Sequence, residues 1–223
     1  MAIVKGDAWV LQSDDAGYVF VTAAHLFNGV SLSRFNLENE PLVYLGKKGL
    51  PCLRLSSRNV FLMEGYDLAF IKTPKLSDKD LPPLPVGKIY HNSHLLNVGY
   101  PFRAIVGQSI ILNTTNKAFS FNGGPWAQEG GFAGNLTLSI QSEDIKLNHR
   151  KVIFLDYTSE PGFSGGPLLN KETNAVVGIM LGVLPSAQYN PGVPSDSFAF
   201  ALYVEEIISA LESLPSDIPG SSR

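Results

Sequence analysis

Short runs of β-branched and aromatic residues, each broken within a few positions by Gly, Pro, Asn, Asp or Ser, recur through most of this 223-residue chain. They constrain its fold more than any other feature, because this spacing suits antiparallel strands and leaves little room for long helices. Strands are predicted at Ala8–Gln12, Tyr18–Ala23, Pro41–Leu45, Leu53–Leu55, Asp67–Lys72, His94–Gly99, Ser109–Asn113, Leu136–Ile140, Lys151–Tyr157, Ala175–Val183 and Ser197–Leu202. So many short strands predict an all-β protein closed into barrels rather than one open sheet.

The stretch Leu81-Pro-Pro-Leu-Pro-Val-Gly87 cannot sit inside a sheet, since proline lacks the N–H that a ladder requires. It predicts a connector between an N-terminal β-rich part, residues 1–84, and a second part, residues 85–214. Val204, Ile207, Ile208, Leu211 and Leu214 recur at helical spacing, with Glu205, Glu206 and Glu212 elsewhere on the wheel, which predicts one amphipathic helix over Leu202–Leu214. Residues 215–223 have linker composition and are expected to form a flexible tail or the stub of a connection to further domains.

Seventeen basic residues against 20 acidic ones give a formal charge of −3, so no basic footprint for nucleic acid or an anionic membrane is present. No apolar run is long enough to cross a bilayer as a helix. A single cysteine, Cys52, cannot form an internal disulfide, and the opening residues carry no signal-peptide pattern. A reducing, cytoplasmic setting is the expectation, with Cys52 as a buried small hydrophobe.

Chemistry concentrates in Pro161-Gly-Phe-Ser-Gly-Gly-Pro167. Glycines around a serine let backbone N–H groups approach a reacting carbonyl without Cβ obstruction, which makes Ser164 a candidate nucleophile. A serine hydroxyl needs a base, normally histidine, oriented by a carboxylate. His25 ends the apolar run Tyr18-Val-Phe-Val-Thr-Ala-Ala-His, which would hold its ring at a barrel rim. Asp67 is followed at once by Leu-Ala-Phe-Ile, an unusual setting for a carboxylate. Singly, these residues read as a turn serine, a satisfied strand-end histidine and a turn aspartate.

Jointly, Thr22-Ala-Ala-His25, Asp67-Leu-Ala-Phe and Gly162-Phe-Ser-Gly-Gly-Pro167, in that order, resemble the trypsin-like serine peptidases of chymotrypsin fold. Leu95-Leu-Asn-Val-Gly-Tyr-Pro101 and Ser197-Phe-Ala-Phe200 are closest in motif to the disulfide-free high-temperature-requirement type, although no PDZ-like segment follows in this chain. The resemblance implies two antiparallel β-barrels and a C-terminal α-helix, with His25 and Asp67 on the first barrel and Ser164 on the second. It further implies His25 as general base, Asp67 as its orienting partner, and the N–H groups of Gly162 and Ser164 as the oxyanion hole. It places the substrate pocket near Thr158, Leu181, Gly182, Val183 and Ser197. None of these is acidic, so cleavage after Lys or Arg is not expected and a small or medium apolar side chain is.

Phe163 stands where secreted relatives carry the aspartate that captures a freed N-terminus, so activation by clipping near Ile3-Val4-Lys5-Gly6 is not expected. The partners implied are a protein or peptide substrate and a regulatory domain or protein; no cofactor and no metal are called for. The rival reading is a latent or non-catalytic module of the same fold that holds an extended peptide or partner by strand addition. A third is an esterase using the same triad. Asn122-Gly-Gly-Pro-Trp126 and Glu129-Gly-Gly-Phe-Ala-Gly134 lack the Lys-Ser/Thr of a phosphate loop and are expected to form a mobile hairpin loop of the second barrel. His91 and His94 have no ligand-type neighbours at set spacing and are expected to be surface residues.

Overall fold

The computed structural model describes residues 6–28, 42–43, 53–54, 58–75, 81–100, 110–113, 118–121, 125–185 and 197–214. Ile3-Val4-Lys5, Cys52, Asn122-Gly-Gly124 and the 215–223 tail lie outside the described residues. The first half contains β1 (Trp9–Asp14), β2 (Gly17–Ala23), one 3-10 turn (Ala24–Phe27), β3 (Leu42–Val43), β4 (Leu53–Arg54), β5 (Val60–Met63) and β6 (Leu68–Thr73). The second contains β7 (His94–Gly99), β8 (Ile110–Asn113), β9 (Ala118–Phe121), β10 (Trp126–Gln141), β11 (Lys146–Leu155), β12 (Pro167–Asn170), β13 (Ala175–Pro185), β14 (Ser197–Tyr203) and helix α1 (Val204–Glu212).

In the first half the order is β1-β2-β6-β5, all antiparallel, with β3 paired to β4 separately. Strands β2 and β6 are buried on both faces, which is why Tyr18–Ala23 and Leu68–Ile71 read as unbroken apolar runs instead of alternating. Tyr18, Phe20, Ala69 and Ile71 pack on one side with Phe27 and Val60. On the other, Val21, Ala23, Leu68 and Phe70 join Trp9 in a cluster that continues into the second half through Leu147, Val152, Ile179, Phe200 and Leu202. The largest core is therefore shared between the halves.

The second half closes into a barrel in the order β10-β11-β14-β13-β12-β7, while among the described residues β8 and β9 pair with each other and with no other strand. Leu95, Ile153, Leu155, Leu168, Met180, Ala199 and Ala201 form one fully buried cluster there. Helix α1 buries Val204, Ile207 and Ala210, as its apolar stripe predicts. It starts at Val204 rather than Leu202 because Leu202 is still paired to Val152 and Ile179, and Tyr203 to Gly178. The all-β, antiparallel class with one C-terminal helix is the architecture observed.

The segment Glu129–Gly134 is not a mobile loop, as the sequence suggested, but the middle of β10, with Gly130 opposite Leu95 and Gly131 opposite His94. Its glycines answer to packing: a Cβ on Gly130 would collide with the Tyr157 ring. Strands β5, β9 and β12 were also missing from the sequence reading; β12 opens on Pro167, directly after the glycine-rich turn.

The proline connector is stitched to both halves. Leu84 N–H donates to the Val10 carbonyl (3.1 Å), whereas Val176 N–H donates to the Pro85 carbonyl (2.7 Å) and Gly87 N–H to the Val176 carbonyl (2.9 Å). Among the described residues no helix is long and apolar enough to cross a membrane.

Candidate active site

Register alone brings Asp67 to His25. The β2–β6 ladder ends on Ala23 opposite Leu68, so the next residue of each strand meets the other: Ala24 N–H donates to the Asp67 carbonyl (2.9 Å). His25 then lies over the Asp67 side chain. Its backbone N–H donates to Asp67 Oδ1 (2.9 Å), and its ring Nδ1 lies 2.7 Å from Asp67 Oδ2. With Nδ1 as the donor to this carboxylate, Nε2 keeps its lone pair. Asp67 holds a left-handed backbone (φ 51°), a region that Asp and Asn tolerate better than other side chains, and is only 4 % exposed. Burial pushes its carboxyl above the usual range; the hydrogen bonds and charge of His25 pull it back, and nearby Asp144 adds a smaller push upward.

Ser164 sits in two linked turns. Phe163 N–H donates to the Glu160 carbonyl (3.4 Å) and Gly166 N–H to the Phe163 carbonyl (3.0 Å), which places Gly162 (φ 108°) and Gly165 (φ 83°) at the third position of their turns. A positive φ at that position belongs to a type II turn and selects glycine. The turns are anchored to β13 by Gly165 N–H on the Met180 carbonyl (2.8 Å) and Met180 N–H on the Gly166 carbonyl (3.0 Å). Phe163 is 4 % exposed and packs at Gly99, where the Asp7 carboxylate also lies, so the bulky residue before the serine is buried.

Two contacts tie this loop to the first half, and a third, within that half, braces them. Asp7 N–H donates to the Ser164 carbonyl (2.8 Å), Thr22 Oγ1 donates to the Asp7 carbonyl (2.5 Å), and the Gly165 Cα lies flat against Thr22 and Ala23, two residues before His25. The serine loop and the His25–Asp67 pair are thus held at one seam. Ser164 Oγ itself donates to the Leu181 carbonyl (3.3 Å), and no hydrogen bond joins it to His25 among the described residues.

The residues expected to line the substrate pocket lie on separate elements. Thr158 is exposed, and Gly182 and Val183 pair with Phe200 and Ala199. The Leu181 side chain is buried in the shared core, so its carbonyl is what meets Ser164. Ser197 opens β14 opposite Pro185. His94 is exposed near Glu129, His91 is exposed in a turn, and the described residues hold no cluster of three or more His, Cys, Asp or Glu side chains suited to a metal.

Sequence reasoning missed Asp7. Its carboxylate accepts the Tyr100 N–H (3.2 and 3.1 Å) behind the serine loop, and nothing in its local sequence marks it as buried. Burial, opposed by that hydrogen bond, pushes its carboxyl from an ordinary 3.8 up to about 7. A folded-state value above the unfolded one stabilises the fold fully below the unfolded value, and that stability is lost as pH rises through the folded value. A difference of this size corresponds to about 4 kcal/mol. Asp7→Asn is therefore expected to raise Tm at pH 8 and leave it unchanged at pH 4, read by thermal melts at the two values. A variant no more stable than the parent at pH 8 contradicts the assignment.

Residues 6–179 match the family model of the trypsin-like peptidase domain. Among curated proteins none matches the chain. Among solved structures, the active form of the Rv3671c protease from M. tuberculosis is 20% identical with a TM-score of 0.59, covering 97% of this chain and 74% of that one. The inactive form of the Rv3671c protease is 21% identical (TM-score 0.58, 95% and 84%). The HtrA-type protease AlgW with decapeptide is 19% identical (TM-score 0.56); 93% of this chain aligns to 52% of that one, so this chain spans about half its length. At these identities the structures establish a shared fold, while the family match extends over most of the chain: it belongs to the trypsin-like peptidase domain family and is by class a serine endopeptidase.

Proposed function

We propose that the chain hydrolyses peptide bonds in protein or peptide substrates through an acyl-enzyme, with Ser164 as nucleophile, His25 as general base and then acid, and Asp67 holding the imidazole. The observation that carries this reading is the double grip of Asp67 on His25, at the backbone N–H and at Nδ1, which leaves Nε2 to take the Ser164 proton. The positive φ of Gly162 supports an oxyanion hole formed by the N–H groups of Gly162 and Ser164. Attack needs Ser164 Oγ to leave the Leu181 carbonyl for Nε2, a side-chain rotation of the kind that substrate binding completes. Among the described residues, β13 past Met180 pairs with β14 and not with β12, and this edge at Leu181–Leu184 suits an extended peptide. The reading includes a reducing, intracellular setting, supported by the lone Cys52, and a place in a larger regulated protein, supported by the linker composition of residues 215–223.

The Ser164–Leu181 bond also favours a second reading, a latent module whose serine is engaged only when a partner or peptide arrives. Labelling with a fluorophosphonate separates the two. Wild type labelled, with Ser164→Ala and His25→Ala unlabelled, is the result expected of an assembled enzyme. A folded wild type that stays unlabelled favours the latent module.

A further inference from the structure

Asp67 follows a turn that the second half grips from outside the β2–β6 ladder. The Tyr66 N–H donates to the Met63 carbonyl (3.2 Å), and Gly65 (φ 72°) and Asp67 (φ 51°) both take left-handed backbone there. Two such residues so close together, one of them not glycine, persist only where the surroundings over-determine them. Strand β11 supplies those surroundings. Tyr66 bridges Leu147, and the Gly65 carbonyl, two residues before Asp67, accepts both the Asn148 N–H (2.9 Å) and the Arg150 Nε–H (3.1 Å). The central carbon of the Arg150 guanidinium lies 3.4 Å from the centre of the Tyr66 ring.

The local shape of β11 serves this grip. Leu138 faces Arg150 and Ile140 faces Leu147 across the β10–β11 ladder, so Asn148 and His149 together stand opposite the single residue Ser139. The bulge, with His149 in left-handed backbone (φ 54°), takes the Asn148 N–H off the ladder and gives it to Gly65. Bulges re-aim groups in this way and recur beside active sites. Arg150 is itself held: its Nη1 donates to Glu206 Oε2 on helix α1 (3.5 Å), while the other oxygen of that carboxylate accepts the Lys151 N–H (3.1 Å). The two side chains are 24 % and 21 % exposed, so the contact is largely sheltered from water. A line of contacts thus runs from α1 through Arg150 to the turn before Asp67, and from Asp67 by two hydrogen bonds to His25.

We propose that Arg150 is a positioning residue for the His25–Asp67 pair, clamping the Gly65–Asp67 turn from β11 so that the Asp67 carboxylate meets the His25 N–H and Nδ1 at once. It acts on the backbone two residues before Asp67 rather than at the reacting atoms. Geometry carries the effect more than charge. The guanidinium supplies an Nε–H donor in a rigid plane and a delocalised cation over the Tyr66 ring, and an ammonium on a flexible stem does not reproduce that combination. What the aligned pair does in catalysis rests on the peptidase reading; that Arg150 holds the pair does not.

The test compares wild type with Arg150→Met, which keeps an unbranched stem, and Arg150→Lys, which keeps the charge. Residue-resolved amide hydrogen exchange reports on the pair through the Ala24 N–H, bonded to the Asp67 carbonyl, and the His25 N–H, bonded to Asp67 Oδ1. Expected in Arg150→Met is a loss of protection at these two amides about tenfold or more beyond any change at Val177, a buried residue of the second barrel. The rate of fluorophosphonate labelling should fall by roughly tenfold to a hundredfold, as it does when a catalytic group is displaced by about 1 Å. Arg150→Lys should rescue neither readout. The proposal is overturned by protection at Ala24 and His25 that does not change, by a loss equal to that at Val177, by an Arg150→Met labelling rate within about threefold of wild type, or by rescue with lysine to that level. A folded wild type that resists labelling counts against the peptidase reading alone, and exchange at the two amides then decides the role of Arg150 by itself.

Discussion

Asp67→Asn should lower kcat on a cleaved peptide by roughly four orders of magnitude while leaving the fold intact. The reason lies in the two hydrogen bonds that the carboxylate accepts. His25 N–H requires an acceptor at the Oδ1 position, so an amide placed there turns its oxygen toward the backbone and its NH2 toward the ring. The NH2 donates, so Nδ1 must become the acceptor and the proton moves to Nε2, the nitrogen needed to receive the Ser164 proton. Asparagine tolerates the left-handed backbone at this position, so melting temperature should hardly change. Steady-state kinetics beside a thermal melt decide the matter. A loss of kcat under about tenfold would mean that the His25–Asp67 pair is structural.

Gly165→Ala should cost about 4 kcal/mol of folding stability and abolish fluorophosphonate labelling. Two penalties add: a left-handed backbone at φ 83°, costing about 1–2 kcal/mol for an L residue, and overpacking, typically about 1–3 kcal/mol. The added Cβ would run into the Asp7 carbonyl and Thr22 Oγ1 and lie 3.1 Å from the Ala23 amide nitrogen. The Asp7 carbonyl and the Ala23 nitrogen are backbone, so little can yield without parting the serine loop from β2. Denaturant titration gives the stability change, and a drop below about 1 kcal/mol would refute the argument.

What the sequence disclosed follows from how local each signal is. Continuous apolar runs revealed β2 and β6, because burial on both faces leaves no alternation to misread. Short motifs singled out His25, Asp67 and Ser164, but the contact of His25 with Asp67 depends on the ladder ending at Ala23 and Leu68, which no motif carries. Gly130 and Gly131 looked like loop residues because their reason for being small, the ring of Tyr157 and the carboxyl of Asp156, lies some 25 residues along the chain. Asn97 was only a polar interruption in Leu95-Leu-Asn-Val; its partners on β10 and at Ser159 are set by tertiary pairing. Asp7 was invisible for the same reason.

The core shared by the halves governs how the protein can fail. Trp9, Phe70 and Leu68 pack in the same cluster as Phe200, Ile179 and helix α1, and the connector is bonded to both sides, so the halves are not beads on a string. Neither could be expressed alone without baring the apolar face it gives to the other. Heat inactivation and unfolding should accordingly coincide in one cooperative transition, with no stage at which the histidine half survives intact beside a melted serine half.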